Sequence, residues 1–388
     1  MSLFFSFLNS TSLIQPHFEQ ALETLLPPVS FLISDAFLWW TLESASKFKI
    51  PRLVSFGMSS YSLILIRIVV GSQLLQNLKS NHELITVPPF PWIKITKNDF
   101  DPPISDPEKN PIRFESVVRS FETSALSFGM IVNSFQEIEP AFIDYWNREF
   151  LPKAWCVGPL CLAEQVKVQT EHQNKRFWIE WLDQKDHVLY VAFGSQAEFS
   201  SEQIGEIAKG LEESVVNFMW VIRKLDSKLL DDGFEERVKN RGIVVRDWVD
   251  QSEILRHESV KGFLSHCGWN SVLESVCAGV PVLAWPLMAD QYLNTRMVAE
   301  EMKVGLRVET CDGSVRGFVK WDGLKKMVKE LMEGDMGNEV RKKVKEFAEM
   351  AKKAMEEGSG SSWRTLEELL DEIEACKRGD RSASKTEV

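Results

Sequence analysis

The sequence has no excess of positive charge: its 388 residues carry a formal net charge of −11. Tracking the phosphates of a nucleic acid requires a basic face, so no nucleic-acid partner is expected. There is no CxxC pair and no histidine at zinc-ligand spacing. The six cysteines (Cys156, Cys161, Cys267, Cys277, Cys311, Cys376) are scattered, which argues against a zinc site or disulfide framework and for a reduced, cytoplasmic protein. Long apolar runs are missing too. The stretch SLILIRIVVG, residues 62–71, is interrupted by Arg67 and too short to span a bilayer, so it reads as a buried helix and no stable membrane span is expected. The apolar LFFSFL near the N-terminus lacks a preceding basic region, which supports a signal peptide only weakly, and the Asn9-Ser10-Thr11 sequon reads as a chance match. No G-x-G-x-x-G follows a strand, which disfavours a nicotinamide oxidoreductase.

What is present is a two-domain α/β pattern. The length favours two domains, and 44% hydrophobic with 26% charged residues is ordinary globular composition. Residues 12–26 place Leu13, Ile14, Phe18, Ala21, Leu22 and Leu25 at helical spacing, and Pro27-Pro28 ends the pattern. Residues 29–37 (VSFLISDAF) read as a buried parallel strand with Asp35 at its carboxyl end. Ligands of open α/β sheets gather there, although Asp35 could equally cap the following helix. Further strands are expected at 51–56, at the start of 130–139 and at 154–160, whereas the proline-rich 88–111 reads as surface loop. Residues 162–175 are polar and aperiodic, the candidate linker between a first domain (1–161) and a second (176–360).

In the second domain strands and helices alternate regularly, from HVLYVAFGS at 187–195 through VGLRV at 304–308. Between them come strands at 218–224, 242–248, 260–265 and 280–286 and helices at 202–213, 270–278 and 294–302, the signature of a doubly wound parallel sheet. Three apolar stripes follow residue 320. The last two are separated by the Gly-Ser stretch 358–362, with Gly358 a C-cap candidate and Ser361 or Ser362 an N-cap candidate; the tail from 377 is expected to be disordered.

Chemistry concentrates in residues 248–291. VKGFLSHCGWNS puts a strand end at Ser265, Gly268 after it and a helix start near Trp269 and Asn270. Amides at a helix start attract a pyrophosphate, and His266, Asn270 and Ser271 add side-chain donors. Glu274 lies one turn beyond Asn270 on the same face and can accept two hydrogen bonds from a ribose diol. Trp248 offers a flat face for uracil, and Asp290 with Gln291 offers a polar pair for hexose hydroxyls. Each feature alone has a structural explanation; their combination at one sheet edge is what points to a nucleotide-sugar site.

The same 44-residue run, with its opening Trp248, its HCGWNS core, Glu274, the AGVP turn and the closing Asp290-Gln291, resembles the signature box of the plant secondary-product UDP-glycosyltransferases. FGS at 193–195 is similar to that family's phosphate-contacting strand end, and FLISDAFLWW to the strand bearing its catalytic aspartate. One departure is WVDQ at 248–251 in place of the more usual Trp-Ala-Pro-Gln; Val249 keeps the backbone amide that reads uracil, and Gln251 is retained. The resemblance implies a GT-B fold of two facing Rossmann-like domains, with Ser195, Trp248, Val249, Gln251, His266, Gly268, Trp269, Asn270, Ser271, Glu274, Asp290 and Gln291 binding the donor. It implies inverting transfer of a hexose, glucose in view of Gln291, from UDP-glucose as co-substrate to a small hydroxylated acceptor such as a flavonoid or other phenolic. It also implies no further cofactor or metal, a monomer, and a last helix (361–376) that crosses back to the first domain.

Asp35 matches the aspartate that orients the family's catalytic histidine, but the strand and loop carrying that histidine have no counterpart ahead of it. The first domain is therefore expected to be incomplete at its N-terminus, with an open strand edge and a weakly active or binding-only site. Among the six histidines (His17, His82, His172, His187, His257, His266), only His17, on an amphipathic helix near the Asp35 strand, is a candidate substitute.

Overall fold

The structure is a computed structural model that describes residues 2–76, 78–163 and 177–378. Nearly all of the expected linker and the tail beyond 378 lie outside the described residues. The strands are β1 (Leu32–Asp35), β2 (Arg52–Ser55), β3 (Ile85–Val87), β4 (Phe90–Ile95), β5 (Gly129–Val132), β6 (Ala154–Cys156), β7 (Val188–Ala192), β8 (Asn217–Val221), β9 (Gly242–Val245), β10 (Val260–Ser265), β11 (Val282–Ala284) and β12 (Gly305–Arg307). Two compact units emerge. One comprises Met1–Gln73, Pro102–Leu160 and Lys353–Val388, and the other Leu74–Asp101 and Cys161–Lys352.

In the first unit four parallel strands are ordered β1-β2-β5-β6. β1 is an edge strand on which Ile33 is half exposed. The apolar run with Arg67 forms the helix Ser60–Ser72, started by Ser59, whose Oγ accepts from the Ser62 amide at 3.0 Å. The last helix, Ser361–Arg378, lies over β6, where Leu369 and Ile373 are buried with Leu53 and Trp155. Gly129 has room for no side chain, because a Cβ there would lie 2.0 Å from the Trp155 ring.

The second unit holds six parallel strands in the order β12-β11-β10-β7-β8-β9. Numbered within that unit the order is 6-5-4-1-2-3, so winding starts at β7, proceeds to one side through β9, then reverses to β10. β7 (VLYVA) is buried along its whole length, as a strand covered on both faces must be. Its alternate residues feed two cores. Leu189 and Val191 join Phe218, Trp220, Ile204, Leu211 and Leu324 on one face; Val188 and Tyr190 join Met219, Val245 and Phe263 on the other. Helix Ser201–Ser214 sits close to helix Trp321–Glu333 because Gly210 gives way to Leu324, whose Cδ2 would be 2.9 Å from a Cβ.

Two local expectations are corrected. The proline-rich 88–111 is not plain loop: β3 and β4 form an antiparallel hairpin, with Ile85 opposite Ile95 and Val87 opposite Phe90. Pro88 and Pro89 make its turn and Pro91 sits on an exposed position, while Phe90, Ile93 and Ile95 supply a buried face. The helix expected at 294–302 begins earlier, at Gln291, and is π-wound from Met297 to Glu301. No described helix is long and apolar enough to cross a membrane.

Truncating a buried leucine of the last helix should loosen the first unit selectively. Leu369→Ala is expected to cost roughly 2–4 kcal/mol, read by urea denaturation as an earlier loss of the tryptophan signal from Trp155, with the transition of the second unit unmoved.

Candidate nucleotide-sugar site

The reversal of winding leaves β7 and β10 adjacent while the chain leaves them in opposite directions, which opens a crevice at their carboxyl ends. Phe193-Gly194-Ser195 follows β7, and His266-Cys267-Gly268 follows β10. Gly194 takes φ +76° and lies against the imidazole of His266: a Cβ there would be 3.1 Å from Nε2, and one on Gly268 only 2.7 Å. Glycine at 194 is favoured by the left-handed backbone, and a side chain at 268 would require the imidazole to move. Ser195 is exposed just beyond.

Cys267 takes the left-handed conformation (φ +62°), its amide donating to Ser265 Oγ at 3.1 Å, and this turns the chain into helix Trp269–Ala278. The residue at the cap position is Gly268, which brings no capping side chain. The Trp269 indole is buried, so only its peptide group faces the helix start, whereas Asn270 is exposed and Ser271 half-buried. Burial pulls His266 down to about 4, and its Nδ1 is buried with no hydrogen-bond partner. At neutral pH the imidazole is thus uncharged, a polar group rather than a positive charge.

One turn into the helix, Glu274 is held by the connection from β9 to β10. Gln251 Nε2 donates to Glu274 Oε2 at 2.5 Å and to Ser271 Oγ at 2.9 Å, and Ser252 Oγ donates to Glu274 Oε1 at 3.2 Å. Tyr190, within β7, donates its hydroxyl to Gln251 Oε1 at 3.4 Å. Each carboxylate oxygen accepts more than one hydrogen bond, so this clamp orients Glu274 without exhausting it. Three residues before Gln251, Trp248 is 79% exposed while Val249 is buried beside it, leaving a bare indole plate next to the clamp.

After β11, the Gln291 side-chain oxygen accepts from the amides of Leu287 and Met288, both at 3.0 Å, so its NH2 is the group with capacity for a ligand. Asp290 Oδ2 accepts from Asn294 Nδ2 at 2.8 Å, and Asn294 also donates to the Cys267 carbonyl at 3.0 Å, linking the two loops. Desolvation pushes Asp290 up to about 6. Ser252, Asn294 and Tyr190 were not singled out from the sequence; Asn294, one helical turn after Asp290, and Ser252, next to Gln251, carried the only signal.

Asp35 belongs to the other unit. It is exposed at the end of β1, its Oδ1 accepting from the Phe37 amide at 2.8 Å, and it does not cap the next helix, which begins at Thr41. Beneath it the buried Arg52 guanidinium donates to Ser34, Thr41 and Ser127; burial draws it down to about 10, against the opposing charge of Asp35. His17 is exposed, and no described histidine hydrogen-bonds to Asp35. Trp40 is core, edge-on to Phe18 and donating to Thr11 Oγ1.

A family model described as UDP-glucoronosyl and UDP-glucosyl transferase matches residues 145–339, half of the chain and the whole of the crevice. UDP-glycosyltransferase 90A1 of Arabidopsis thaliana is 53% identical over 99% of this chain and 80% of its own length. The chain belongs to the plant family 1 UDP-glycosyltransferases. UDP-glucose flavonoid 3-O-glucosyltransferase 7 of Fragaria ananassa is 36% identical over 95% of this chain and 79% of its own length. Among solved structures, Medicago truncatula UGT71G1 complexed with UDP-glucose superposes with a TM-score of 0.81 at 30% identity, covering 95% of this chain and 80% of that one. The fold class of the family, GT-B, is accordingly that of this chain, with a parallel α/β sheet in each unit.

Two measurements probe the UDP-glycosyltransferase site. Hydrogen bonds to a charged group contribute about 1.5–3 kcal/mol, so Glu274→Ala is expected to weaken UDP roughly tenfold or more in calorimetry while barely changing the affinity for inorganic pyrophosphate. A carboxylate accepts from hydroxyls best when ionised, which for Asp290 is above about pH 6. Lowering the pH from 7 to 5 should therefore weaken UDP-glucose relative to UDP, and Asp290→Asn should abolish that pH dependence.

Proposed function

We propose that this chain moves glucose from UDP-glucose to a hydroxyl of a small apolar phenolic acceptor with inversion at the anomeric carbon. The observation that carries the reading is the clamp of Gln251, Ser252 and Ser271 on Glu274, set between the exposed Trp248 and the helix start at Trp269. In this reading uracil stacks on Trp248, the ribose diol meets Glu274, and the diphosphate lies between Ser195, the His266 imidazole and the first turn of the helix. The hexose reaches Asp290 and Gln291. The acceptor oxygen forms a bond to the anomeric carbon as the bond from that carbon to the β-phosphate oxygen breaks. Negative charge grows on the departing UDP, where the His266 N–H and the helix start stabilise it. The relatives named for UDP-glucose and for flavonoid glucosylation support the donor and acceptor classes.

The acceptor proton needs a base, and this step favours a second reading, donor binding without turnover. Among the described residues the Asp35 carboxylate accepts from the Phe37 amide and from no histidine, and a base for the acceptor proton is what the second reading does without. Incubating the purified chain with UDP-glucose and a panel of simple phenols, in parallel with calorimetric titration of UDP, separates the two. Glucoside formation that is lost in Asp35→Asn supports catalysis through this carboxylate; UDP binding with no glucoside supports donor binding alone; absence of UDP binding contradicts both.

A further inference from the structure

The segment 74–101, which carries the β3–β4 hairpin, packs within the donor-binding unit, and its end is fastened to the loop that presents Asp290 and Gln291. Two buried aspartates do the fastening. Asp99, fully buried, accepts from the Thr96 amide at 2.6 Å and from Arg296 Nε at 2.8 Å, tying the end of the hairpin to helix Gln291–Arg296. Asp101, also buried, accepts through Oδ2 from the Ala289 amide at 2.6 Å and through Oδ1 from Arg316 Nη1 and Nη2, both at 3.2 Å. The same guanidinium donates to the Asn98 and Phe100 carbonyls at 2.8 and 2.6 Å and lies 3.7 Å over the Tyr292 ring, whose hydroxyl donates to the Leu287 carbonyl.

Ala289 is the residue immediately before Asp290 and is one of the few non-glycine residues at positive φ (+55°). A left-handed alanine persists only where its surroundings determine it, and here the determinant is the Asp101 carboxylate on its N–H. A shift of that peptide would carry the Asp290 and Gln291 side chains with it. The alignment of a hexose depends on such side chains to a fraction of an ångström.

We infer that Asp101, itself held by Arg316, is a positioning residue that sets the placement of Asp290 and Gln291 and through them the choice of hexose, an inference that rests on the reading of that pair as the sugar-contacting one. The bonds of Asp101 to the Ala289 amide and to Arg316 act on the loop of Asp290 and Gln291, so it should govern the sugar and not the UDP. A merely structural role would instead weaken every ligand alike.

The test is calorimetric binding of UDP, UDP-glucose and UDP-galactose to the full chain and to Asp101→Ala, Asp101→Asn, Arg316→Gln and Gln291→Ala. The expected result is that Asp101→Ala reduces the preference for UDP-glucose over UDP-galactose by about fivefold or more while the Kd for UDP stays within about twofold. Asp101→Asn, which keeps an oxygen for the Ala289 amide, should retain part of the preference, and Arg316→Gln should lie between. If Asp101→Ala does not fold, those last two variants carry the same comparison. Loss of preference in Gln291→Ala but not in any Asp101 or Arg316 variant would overturn the positioning role and leave the sugar site standing. No change in Gln291→Ala or in any other variant would overturn the reading of the pair and this inference with it. Equal weakening of all three ligands would mark the latch as structural only.

Discussion

The crossover from β9 to β10 is the constraint on which the donor site depends. In the sheet order β10-β7-β8-β9 these consecutive strands are not neighbours, so the chain must pass across the ends of β8 and β7 before it can start β10. The crossing is pinned by a carboxylate: Glu274, on the helix after β10, accepts from Gln251 and Ser252 at the start of the short helix that leads back to β10. A buried or half-buried carboxylate is costly unless its lone pairs are met, and here they are met by residues three and four positions after the exposed Trp248. The interaction that closes the crossover thus also orients the Glu274 carboxylate.

The turn around His266 is governed by crowding rather than charge. Gly194 and Gly268 are positions where a Cβ would strike His266, and Cys267 is forced into the left-handed region between the strand and the helix. Burial of the imidazole keeps it neutral. In the proposed function, stabilisation of the diphosphate is assigned to oriented dipoles, the helix start and the imidazole, which need little reorganisation as charge develops on a leaving group. The loop that presents Asp290 and Gln291 is held separately, by the hairpin segment and its two buried aspartates.

Much of this was legible from the residues. The uninterrupted apolar strand β7, the HCGWNS turn and the spacing from Asn270 to Glu274 report directly on local geometry, so the six-stranded sheet and the helix start after β10 follow from the order of residues. What was hidden depended on distant partners. The prolines at 88, 89 and 91 read as loop punctuation because the buried side of the hairpin is visible only once the core beneath it exists. Asp99, Asp101, Arg296 and Arg316 are charged residues of ordinary appearance, separated by about 200 positions along the chain, and become informative only as ion pairs. For Asp35 the sequence left a cap and a site open. The structure gives the carboxylate an exposed strand-end position and a bond to the Phe37 amide, an arrangement that propensity could not distinguish.

The central claim, that UDP occupies the crevice where the winding of the six-stranded sheet reverses, is tested most directly by amide hydrogen exchange with and without saturating UDP. The account predicts protection concentrated in three peptides, those covering residues 193–195, 248–251 and 265–274, with little change in residues 29–56. Protection centred on residues 29–56, or none at the helix start after β10, would contradict it.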